Sequence, residues 1–145
     1  MLANDTSLLR ISEGFRSHPY KCSAGVWTIG YGTTNINGTP VTQSTPPITE
    51  ARAIELLESY ITAYIDPIFK KHNLKLTQNQ YNALTCFIYN IGFAAFGKST
   101  MLKLLVQGDI VGAANEFPKW NKVNGKPNKG LTNRRIKERD LFLKD

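Results

Sequence analysis

Between Pro19 and Val41 the helical periodicity found elsewhere in the chain is missing. This interval holds Gly25, Gly30, Gly32 and an Asn37-Gly38 pair, set between β-prone runs such as Val26-Trp27-Thr28-Ile29. Asn-Gly readily supplies the two left-handed residues of a tight hairpin turn, and β-branched and aromatic residues suit a half-buried pleat. A small antiparallel sheet, read as three strands, is therefore confined to one early stretch of an otherwise helical chain. That segregation makes the class α+β.

Helix signals flank the sheet on both sides. Asp5, Thr6 or Ser7 can cap a first helix, with Leu8, Ile11 and Phe15 facing inward and Gly14 at its end. Glu13 then falls in the last turn. Pro46-Pro47 breaks the chain, and Thr49 can cap a long helix with the apolar stripe Ile54, Leu57, Ile61, Ile65 and Ile68, which Pro67 kinks or restarts. Thr77 and Gln80 form a capping box before Tyr81, Leu84, Phe87, Ile88 and Ile91, and Gly92 ends that helix. Ser99 opens a helix to Gln107, Asp109 opens another through Phe117, and a last helix runs from about Thr132 to Leu143. Asn121 to Gly130 reads as a loop. We expect one domain over 1–145. A small mixed lobe occupies about 1–48, a connecting helix about 49–75 and a larger helical lobe about 76–145. A ligand cleft lies between the lobes.

The 145 residues suffice for one compact domain, and 41% hydrophobic with 20% charged residues suits a globular protein. The net charge of +7 favours polyanionic partners: nucleic acid, acidic membranes or an anionic bacterial envelope. Lys122, Lys126 and Lys129 concentrate part of it. Cys22 and Cys86 read as two free thiols of a reducing compartment. Met1 to Thr6 carries no basic leader, and no apolar run is long enough to span a membrane. His18 and His72 show no metal-ligand spacing, and no glycine-rich loop leads into a helix, so neither a metal nor a cofactor is expected. Trp120 reads as core.

Glu13 is the candidate acid. The partial negative charge at a helix C-terminus disfavours a carboxylate, and a carboxyl kept protonated can serve as general acid. Cys22 follows nine residues later and Thr28 six after that. Arg16, His18 and Lys21 lie near enough in sequence to favour the Cys22 thiolate. Taken alone, Cys22 reads equally as a small buried hydrophobe and Thr28 as a cross-strand contact.

Together the three resemble the Glu, Asp-or-Cys, Thr active-site segment of the phage-type lysozymes, glycoside hydrolase family 24. The resemblance continues through Gln80-Tyr81-Asn82-Ala83-Leu84 and Phe87-Ile88-Tyr89-Asn90-Ile91-Gly92. Beyond these come Phe96, Ser99, Thr100, Gly108-Asp109, Ala113-Ala114, Glu116-Phe117 and Trp120. The C-terminal set is Gly130-Leu131, Arg134-Arg135 and Glu138-Arg139. It implies a lysozyme-like fold and cleavage of the β-1,4 bond between N-acetylmuramic acid and N-acetylglucosamine of peptidoglycan, by water with inversion. Glu13, Cys22 and Thr28 take the catalytic places. Tyr89, Ser99 and Arg134 take places that line the cleft or steady the glutamate. An arginine beside Glu13 would oppose the helix-end effect. The same resemblance implies a phage or prophage endolysin that acts as a monomer. It would bind peptidoglycan and not nucleic acid, and would insert in no membrane. It would wait in the cytoplasm of an infected or lysogenic bacterium for release through a separate holin. Two alternatives stay open: a lytic transglycosylase or other glycan cleaver, and a non-catalytic basic module for cell wall or nucleic acid.

Overall fold

The computed structural model describes residues 5–144. The leader reading falls partly on residues 1–4, outside the described ones. Helix α1 (Ser7–Glu13) is followed by strands β1 (Arg16–Lys21), β2 (Trp27–Gly30), β3 (Asn35–Ile36) and β4 (Thr39–Pro40). Helix α2 (Glu50–Tyr60) runs through a π-helical turn, Ile61–Ile65, into α3 (Asp66–Lys71). Then come α4 (Gln78–Ile91), α5 (Phe93–Gly97), α6 (Thr100–Val106), α7 (Ile110–Ala114), a hairpin of β5 (Lys122–Val123) and β6 (Lys126–Pro127), and α8 (Lys129–Leu143).

The expected three-stranded sheet is instead two hairpins, β1–β2 and β3–β4, joined only by an isolated bridge between Ile29 and Thr33. Gly30 and Gly32, at φ of 67° and 85°, turn the chain out of strand geometry between them. Gly30 also has no room for a side chain, because an added Cβ would lie 3.1 Å from the Ala53 Cβ of α2. The β1–β2 register is irregular between Arg16 and Tyr20, where Pro19 has no N–H to donate. Asn37 and Gly38, both at positive φ, close β3–β4 as the sequence indicated.

Local chemistry sets the helix boundaries. The Thr49 hydroxyl accepts from Arg52 N, the Thr77–Gln80 capping box is complete, and Asp109 caps α7. Pro67 sits in the first turn of α3, so it restarts the helix after the π turn. Four expectations are corrected. Ile11 is 74% exposed, and α1 buries Leu9 instead. The helix from Asp109 stops at Ala114, with a 3-10 turn at Phe117–Lys119. The Asn121–Gly130 loop contains a hairpin, and α8 starts at Lys129, capped by the Asn128 side chain.

The core wraps α4. Phe87 meets Phe96, Phe117 and Trp120 edge-on at centroid distances of 6.4, 5.0 and 5.8 Å. Trp120 is thus packed against the core, as read. Helix α8 lies along α4 and turns Arg135, Glu138 and Phe142 inward, so two of its buried side chains are ionisable.

Candidate active site

Gly14 ends α1 at φ 76°, its N–H bonded to Arg10 O, and this leaves Glu13 on the terminal turn. Glu13 opens into a cavity of about 620 Å³. Gly32 to Asn35 and the Asn37-Gly38 turn form one wall; Arg52, Leu56, Ser59, Tyr60, Ala63 and Tyr64 form another; Tyr89 and Asn90 of α4 form the floor. The β3–β4 hairpin and the segment leading into it therefore face α2 and α4 across the cavity.

Backbone proximity shapes the cavity here. A Cβ on Gly32 would stand 3.3 Å from the Tyr89 ring and 3.5 Å from Glu13 Oε1. The Tyr89 hydroxyl donates to Tyr31 O at 2.6 Å, tying α4 to the segment after β2. Burial, and then the charge of Glu13, push the Tyr89 phenol well above the ordinary tyrosine range, so it stays a neutral donor.

Arg134 holds Glu13 from behind. Its Nη1 donates to Glu13 Oε2 at 3.0 Å, Nε to Glu138 Oε2 at 3.2 Å and Nη2 to Cys86 O at 3.1 Å. Burial works against its charge, yet the carboxylates of Glu13 and Glu138 hold the guanidinium above its usual range. Burial pushes the Cys86 thiol up to about 12, so this free cysteine is an inert neutral neighbour.

Cys22 is also free and only partly buried, so the reading of it as a buried hydrophobe does not hold. Its thiol lies below the usual range, chiefly through the backbone N–H groups of Val26 and Ala24, with Thr28 close by. The nearby basic side chains are engaged elsewhere. Arg16 lies over the Tyr20 ring, Lys21 over Trp27, and His18 Nδ1 shares a hydrogen bond with Ser17. Thr28 is buried, its hydroxyl donating to Val26 O at 2.9 Å. Tyr20 lies opposite Thr28 in the β1–β2 register and feels the charges of both Glu13 and Cys22, but neither Cys22 nor Thr28 is among the residues that line the Glu13 cavity.

The structure thus gathers Glu13, Tyr89 and Arg134, and places Cys22 beside Thr28. Ser99 is not brought to the cavity wall: it is buried, its hydroxyl donating to Phe96 O at 2.7 Å and accepting from Leu102 N at 3.1 Å as the cap of α6. Sequence reading missed Asn90, Tyr60, Tyr64 and Thr33 as cavity residues. Tyr60 and Tyr64 alternate with the apolar stripe of α2 and gave no separate signal.

Comparison with known proteins shows the family. The sequence matches the phage lysozyme family over residues 10–138. It is 43% identical over 140 residues to the endolysin of Acyrthosiphon pisum secondary endosymbiont phage 1, covering 93% of this chain and 92% of that protein. Against the endolysin of Bacillus phage PZA, 38% identical over 138 residues, it spans 94% of this chain but 52% of the relative's length. A crystal structure of a P22 lysozyme mutant superposes with a TM-score of 0.85 at 35% identity over 99% of each chain. The expected lysozyme-like α+β fold is therefore the observed one, and the chain belongs to the phage lysozyme family.

Proposed function

We propose that this chain is an endolysin-type muramidase that hydrolyses the β-1,4 bond between N-acetylmuramic acid and N-acetylglucosamine, with Glu13 as general acid. The carrying observation is the placement of Glu13: a carboxyl on a helix terminus, fixed by Arg134 at 3.0 Å and open to a polar cleft of about 620 Å³. Glycoside hydrolysis needs a proton on the leaving oxygen and a nucleophile on the other face of the sugar. Glu13 gives the proton. Water attacks from the side of Cys22 and Thr28, and one displacement inverts the anomeric centre. The neutral Tyr89 hydroxyl and the Asn90 amide supply polar contacts to the sugars.

The deciding experiment replaces Glu13 by Gln, which keeps the shape and removes the acid. Purified, folded Glu13→Gln protein is expected to lose about 10²–10⁴-fold in peptidoglycan cleavage. Near wild-type clearing of a wall suspension would sink the assignment. Product analysis separates hydrolysis from transglycosylation, since a reducing end shows that water attacked and an anhydro end that it did not.

Release belongs to the same reading. Among the described residues no helix is long and apolar enough to cross a membrane. We assign passage to the wall to a separate holin-type pore, with the enzyme held in the host cytoplasm until that pore opens. Expression alone should then leave cells intact, and a membrane-permeabilising agent should lyse them at once. Lysis without either agent or pore would contradict this.

A further inference from the structure

Behind the cleft, four ionisable side chains of two helices form one chain of contacts. Glu13 meets Arg134 at 3.0 Å, Arg134 Nε meets Glu138 Oε2 at 3.2 Å, and Glu138 Oε1 stands 3.0 Å from Arg135 Nε. Arg135 Nη2 donates to Asn90 Oδ1, and its guanidinium lies over the Phe87 ring at 4.9 Å. The chain thus begins and ends on cleft-lining residues, Glu13 and Asn90. Arg135 and Glu138 are wholly buried. Buried charges are costly, and apolar side chains of similar volume would hold α8 to α4 at least as well. Packing alone therefore gives no reason for this pair.

We propose that Glu138 is a positioning residue for the cleavage reaction: by sharing the Arg134 guanidinium with Glu13, it limits how strongly Arg134 holds Glu13 as a carboxylate, and by anchoring Arg135 it fixes Asn90 in the cleft floor. The inference rests on the reading of Glu13 as general acid. Two like charges on one arginine oppose each other, so the second carboxylate favours the protonated form of the first. The other groups facing Glu13 do not duplicate this. Tyr20 and Tyr89 have phenols raised by burial, Cys86 has a thiol raised by burial, and all three stay neutral over the working range. Arg135 adds positive charge from farther along the chain.

The test is the pH–rate profile of Glu138→Gln on a short soluble glycan, at a temperature where its circular dichroism matches the wild type. Loss of a nearby negative charge should move the alkaline limb about one pH unit toward acid, hence about tenfold lower kcat above the limb. Glu138→Asp keeps the charge but shortens the reach. It should shift the limb in the same direction by less, and it serves as readout where the Gln variant does not fold. An unmoved limb in either folded variant, with only thermal stability reduced, would make Glu138 purely structural and overturn the proposal. Glu13→Gln is run alongside. If that variant stays active, the general-acid reading fails and not the positioning argument.

Discussion

Replacing Arg134 by Met isolates what one guanidinium does. The substitution keeps side-chain length and removes three donors at once, to Glu13, Glu138 and the Cys86 carbonyl. Breaking a buried ion pair from one side costs about 3–5 kcal/mol, because the remaining charge stays buried without compensation. The lower end applies here. Glu13 is 19% exposed and partly solvated once freed, and Glu138, at 0%, still has Arg135 at 3.0 Å. About 3 kcal/mol in a domain of this size lowers Tm by about 10 °C near neutral pH. The loss depends on pH in a definite direction. Burial raises Glu138 above the ordinary carboxylate range, against the pull of Arg135 and Arg134. A group raised on folding contributes its stability fully below its unfolded value, about 4.3, and loses it as pH rises through the folded value. Without Arg134 that folded value rises further, so the gap in Tm between wild type and variant should be small near pH 4 and full near pH 7. Thermal melts of both proteins across that range test it. A gap that stays constant with pH would show that lost packing, and not an uncompensated Glu138, explains the cost.

Cys22→Asp is expected to keep substantial activity, since Cys22 with Thr28 is assigned to hold water rather than to attack. Mass spectrometry of enzyme quenched during turnover, showing a glycosyl group on Cys22, would refute that assignment. The +7 charge should steer the enzyme to anionic walls over a screening length of about 8 Å at physiological salt. Wall lysis should therefore slow with added salt while cleavage of a short neutral fragment barely changes, and neutralising Lys122, Lys126 and Lys129 should flatten the wall response. Parallel loss on walls and fragments would point to the site or the fold instead.

What the sequence disclosed follows the range of the interactions. Caps at Thr49, Thr77, Ser99 and Asp109 involve residues three positions apart, and each appears in the structure where it was read. The Asn37-Gly38 turn was legible for the same reason. The identical signal at Asn124-Gly125, also at positive φ, was passed over because the lysines around it suggested only solvent exposure. Over the seven residues of α1, periodicity could not separate Leu9 from Ile11 as the buried position. The three-strand reading failed because two-residue strands broken by left-handed glycines cannot sustain one ladder.

The catalytic end of the cleft lies beyond such local signals. Glu13 and Arg134 are 121 positions apart, and nothing in the neighbourhood of either announces the other. Arg134 and Arg135 stand four and three positions before Glu138, a pairing that on most helices marks a solvated charged face. Here that face is turned inward, because the groups it serves, Glu13 and Asn90, are on the cleft wall of α1 and α4. An apolar α8 would satisfy α4 but leave Glu13 without a fixed partner and the Asn90 side chain free to rotate. The orientation of a general acid within a few tenths of an ångström governs its efficiency more than its mere presence. On that argument the buried charges of α8 are a cost in stability accepted for the geometry of the site. Their signature is an ionic helix face lying against the aromatic core at Phe87.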